Sequence, residues 1–160
     1  MGLPLATLTN RSKFGAVLDM VTDRCTTTCL LCYLAHIYPA WSIVFQFLIS
    51  LDVSSHYMHM YSSLTSGATS HKAISKTQNS LLYAYYNSKV VLFLVCAGNE
   101  LFFIALYLIK AELVFQGWWP WLAKFCFPFF LFKNVLNVIQ FSGAAQSLAQ
   151  VDVNDHLKTS

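Results

Sequence analysis

Two carboxylates and a glycine recur at four-residue spacing near the start of this sequence. Gly15, Asp19 and Asp23 stand within Ser12-Lys13-Phe14-Gly15-Ala16-Val17-Leu18-Asp19-Met20-Val21-Thr22-Asp23-Arg24. On a helix the three positions share about 80° of arc and climb about 6 Å per step, so they form one stripe. Gly15 leaves the head of that stripe without a side chain, where a ligand could approach the backbone. Two unit charges about 6 Å apart repel by roughly 3 kcal/mol at an effective dielectric of about 20, and a divalent cation would offset that. Hard oxygen donors suit Mg²⁺ or Mn²⁺, so the stripe reads as one wall of a phosphate-handling site. The plainer reading is a polar helix end whose acids face water or pair with Lys13 and Arg24.

What must position these acids is a membrane bundle. Of the 160 residues, 56% are hydrophobic and 11% charged, about half the charged share of a soluble globular protein. Several apolar runs approach or exceed the length that crosses a hydrocarbon core of about 30 Å. The expected fold is all-α, a polytopic membrane helix bundle of about four transmembrane helices in a single membrane domain. A lead-in at about 1–12 precedes helices at about 13–37, 40–61, 90–109 and 122–141, with a cytosolic loop at about 64–87 and a polar tail after the last helix. Pro39 marks the first stop. The aromatic turn Gly117-Trp118-Trp119-Pro120-Trp121 fits a membrane interface. Basic residues place Arg11, Lys13, Lys72, Lys76, Lys89 and Lys158 on one side of a four-span alternation and mainly Lys110 and Lys124 on the other, so the acidic stripe faces the cytosol.

Other polar residues invite weaker readings. Asp52, His56 and His59 have a spacing that can ligate metal on one helix face, but a hydrogen-bonded patch facing the bundle interior is the favoured reading. Glu100, in the middle of an apolar run, is expected to fix helix packing. The five cysteines, Cys25, Cys29, Cys32, Cys96 and Cys126, read as small packing residues. A net charge of +3 without interleaved basic and aromatic residues argues against a nucleic-acid partner.

Gly-x3-Asp-x3-Asp at the head of a membrane helix resembles the second half of the signature Asp-Gly-x2-Ala-Arg-x8-Gly-x3-Asp-x3-Asp of the CDP-alcohol phosphatidyltransferase family. Ser50-Leu51-Asp52-Val53-Ser54-Ser55-His56, Ser70-His71-Lys72 and Cys96-Ala97-Gly98-Asn99-Glu100-Leu101-Phe102 are similar to its eukaryotic phosphatidylinositol-forming members, and the resemblance runs from about residue 11 to the C-terminus. It implies the last four helices of a six-helix fold in the endoplasmic reticulum membrane, with the active-site side cytosolic. It also implies transfer of a phosphatidyl group from CDP-diacylglycerol to myo-inositol with release of CMP, supported by Mg²⁺ or Mn²⁺. On the matching positions, Asp19 and Asp23 would hold metal, Asp23 would act as the general base, and Ser12 and Gly15 would contact CDP-diacylglycerol.

The first half-motif does not appear, since residues 1–10 contain no Asp, Glu or Arg. The expectation is an N-terminally truncated chain with impaired activity, prone to pair with a fuller chain or with itself. The alternative is a non-catalytic four-span membrane scaffold or regulatory isoform.

Overall fold

The computed structural model describes residues 13–65, 88–111 and 117–159. Helix α1 spans Lys13–Ile37, α2 Ser42–Thr65, α3 Lys89–Ala111 and α4 Trp119–Thr159, and a 3-10 turn at Pro39–Trp41 joins the first two. The described residues contain no strand, and the protein is an all-α membrane bundle. Ser12, the residues of the 64–87 loop beyond Thr65 and before Ser88, and Arg11, His71, Lys72 and Lys76 lie outside the described residues.

Proline sets the first corner. Pro39 has no N–H to continue α1, and it opens a tight turn whose Trp41 N–H donates to the Tyr38 carbonyl at 2.9 Å. The chain changes direction by 120° there. α3 and α4 are each long and apolar enough to cross a membrane, and α1 with α2, taken together across the bend, make a third such segment by length and composition. The reason the first pair falls short singly is visible in the sequence: the first turns of α1 carry exposed acids, and the second half of α2 carries polar residues that are buried in the bundle.

The last helix is twice the length expected from the sequence, running to Thr159 where a polar tail was expected after about residue 141. Ala, Gln and Leu dominate 144–150, and these are strong helix formers even where hydropathy has fallen. Pro128 lies inside α4 without ending it.

Apolar packing concentrates near the corner. Leu31 and Leu34 of α1, Phe45 and Leu48 of α2 and Phe103 of α3 form one buried cluster, and Val95 with Leu136 forms a second between α3 and α4. Phe102 stacks on Phe130 with ring centroids 4.6 Å apart, and Phe103 meets the same ring edge-on at 5.6 Å. α3 lies close against α4 at Gly98, where a Cβ would stand 2.7 Å from Phe129 Cβ. The cysteines of α1 behave differently from expectation. Cys25, Cys29 and Cys32 are exposed on the outer face of the helix, whereas Cys126 is buried. Their shared stripe points away from the bundle because Arg24, Thr27, Leu31 and Leu34 occupy the inner one.

Candidate functional site

Asp19 and Asp23 are both exposed on α1, at the end of the helix remote from the Pro39 corner, and Gly15 is exposed above them. The helix is continuous through all three, so the stripe expected from their spacing exists. The donor set is two exposed carboxylates, the hard oxygen type that suits Mg²⁺ or Mn²⁺. Among the described residues no three His, Cys, Asp or Glu side chains gather closely enough to hold a metal by themselves, so a cation here would need oxygens from elsewhere, such as a diphosphate. Ser12, expected to contact the nucleotide, lies outside the described residues.

Arg24 follows Asp23 directly, and its main hydrogen-bond partner is on another helix. It turns inward, and its Nη1 donates to both carboxylate oxygens of Asp52 on α2, at 2.7 Å each. Asn137 of α4 donates from Nδ2 to Asp52 Oδ1 at 3.0 Å and accepts from Lys133 Nζ at 2.6 Å. Three helices are thereby tied at one level. The fourth joins through Glu100 of α3, whose Oε1 accepts from Thr27 Oγ1 at 2.8 Å, and Thr27 is held to the Asp23 carbonyl at 3.1 Å. Asp52, Lys133 and Asn137 are buried to 8%, 4% and 2% exposure. Charges this deep persist only when paired and hydrogen-bonded, since each lone ion in the bilayer costs a few kcal/mol or more.

Asp52 is thus engaged with Arg24 and Asn137, and His56 is turned back on its own helix, with Nδ1 2.8 Å from the Asp52 carbonyl and 3.6 Å from Asp52 Oδ1. A donor is required toward a carbonyl, so Nδ1 carries the hydrogen in that contact. Ser55 also donates to the Asp52 carbonyl, at 3.0 Å. These contacts make the Asp52, Ser55 and His56 face a hydrogen-bonded interior patch. His59 is buried on the same face.

Sequence comparison decides the family. The chain is 49% identical to the CDP-diacylglycerol–inositol 3-phosphatidyltransferase of Candida albicans over 92% of its length, 46% identical to that of Schizosaccharomyces pombe over 89%, and 42% identical to that of Mus musculus over 94%. The chain belongs to the CDP-diacylglycerol–inositol 3-phosphatidyltransferase family. It spans 63% of the length of the Candida protein and 73% of the mouse one. No protein-family model matches the chain, and no solved structure matches it.

For a phosphatidylinositol-synthase family member, the acids of α1 were legible from spacing, but the chain of polar contacts beneath them was not. Lys133 and Asn137 stand four apart in the last helix, and Asp52 was read with its neighbours on α2. The available signal was the cost of each ion in an apolar run: Arg24, Asp52, Glu100 and Lys133 each need a partner, which for Arg24, Asp52 and Glu100 comes in part from another helix.

Proposed function

We propose that this chain serves phosphatidylinositol formation, taking a phosphatidyl group from CDP-diacylglycerol to myo-inositol with release of CMP. The observation that carries the reading is the pair of exposed carboxylates, Asp19 and Asp23, four apart on α1. The names of the relatives support the two substrates. Mg²⁺ or Mn²⁺ bound there would supply neutralisation of the diphosphate, which bare carboxylates would repel. Asp23 takes the proton of the attacking inositol hydroxyl, Gly15 admits the nucleotide, and Ser12 contacts the CDP-lipid. The site opens toward the cytosol from the endoplasmic reticulum membrane, on the side that the basic residues mark.

Two carboxylates form one side of a clamp for two cations. These 160 residues by themselves are therefore expected to turn over slowly and to work best paired with a fuller chain or a second copy. The competing account is a non-catalytic membrane scaffold, and ligand binding separates the two. In detergent, Mn²⁺ with CDP-diacylglycerol should raise the melting temperature, and Asp19→Asn with Asp23→Asn should abolish the rise. No shift in the unmutated chain would favour the scaffold. Radiolabelled inositol incorporation with CDP-diacylglycerol and Mn²⁺ reads the activity directly, and a rate equal to that of a full-length relative would overturn the expected impairment.

A further inference from the structure

At the corner between α1 and α2 the bundle holds an apolar cavity of about 270 Å³. Tyr38, Trp41 and Phe45 line it from the corner, Phe102 and Leu106 from α3, and Phe130 from α4. The Tyr38 hydroxyl is turned into the wall, donating to the Leu106 carbonyl at 2.8 Å. A cavity with such a lining does not hold water. At about 270 Å³ it has room for a run of acyl-chain methylenes.

The setting of the cavity names the rest of the ligand. Lys110 Nζ lies 6.0 Å from the centre of the Tyr38 ring, one turn beyond Leu106 on α3, and is exposed. Lys124 Nζ stands 4.9 Å over the ring of Trp121, and Trp41, Trp118 and Trp121 are exposed. Tryptophans and lysines grouped at one end of a bundle mark the headgroup level of a bilayer. Lys110 and Lys124 bring positive charge to this rim. Along α1 the rim is about 22 Å beyond Asp23, at 1.5 Å per residue.

We propose that this cavity receives one acyl chain of an anionic phospholipid from the leaflet opposite Asp19 and Asp23, with Lys110 on the lipid phosphate. The site is separate from the carboxylate stripe and does not depend on the transfer reaction. The test is native mass spectrometry of the purified, delipidated 160-residue chain titrated with phosphatidylglycerol or phosphatidylcholine. One phosphatidylglycerol should be retained per chain, in preference to phosphatidylcholine. Leu106→Trp, which fills the cavity, should weaken retention about tenfold. Lys110→Ala should remove the preference for the anionic lipid, and Asp19→Asn with Asp23→Asn should leave retention unchanged. Equal retention by Leu106→Trp, an unaltered preference in Lys110→Ala, or loss of lipid in the double aspartate variant would each overturn the proposal. Should Leu106→Trp fail to fold, Val44→Trp narrows the same cavity from α2, and undiminished retention in that folded variant would overturn it equally.

Discussion

Arg24 and Asp23 are neighbours in sequence with opposite assignments. Asp23 stays exposed on the outer stripe, while the Arg24 guanidinium reaches inward to Asp52. Removing the carboxylate leaves the guanidinium and Lys133 short of a counter-charge, so Asp52→Asn should cost about 3–5 kcal/mol, read as a fall in melting temperature in detergent. Replacing both ends by apolar side chains, Arg24→Met with Asp52→Leu, should recover part of that loss, because the guanidinium is gone and Lys133 alone is left without its counter-charge. A double variant as unstable as the single one would mean that the pair is not what Asp52 contributes. At this scale the sequence was informative for residues one turn apart and silent for those that meet across helices. Asp19 and Asp23 could be placed on one stripe by counting. The partner of Arg24 could not, since an acid stood next to it in sequence and the one it hydrogen-bonds is 28 residues away.

Elements were easier to read than their contacts. Pro39 and the apolar runs locate α1 and the corner, because proline removes a donor wherever it falls and apolar length is a local property. The length of α4 was hidden for the converse reason: its second half is helical by propensity and not by hydropathy. Between elements, Gly98 is where α3 can come close to α4. Gly98→Ala places a methyl group against Phe129 Cβ, which belongs to the stem of that side chain and cannot swing aside, so it should destabilise by about 1–3 kcal/mol. Thermal melting tests this, and a paired Phe129→Leu change should not relieve the clash, since its Cβ remains in place.

For the molecule as a whole, stability should come from the part of the bundle between the corner and the polar level. Residues 152–157 of α4 are all exposed. A chain ended after Val151 should therefore melt within about 2 °C of the full one, given that surface changes away from buried contacts seldom exceed about 0.5 kcal/mol. A larger fall would show that this end of the helix is covered by something in solution. The bend between α1 and α2 has a further consequence, for biosynthesis. Each of these two helices carries an ion whose burial in hydrocarbon is unfavourable without the other. They are expected to leave the translocon together as a hairpin, α1 waiting at the channel until Asp52 has been made. Glycosylation tags placed in the corner would report this: Asp52→Leu should lower the fraction of chains in which α1 inserts, even though the altered residue lies in the following helix and is itself more apolar.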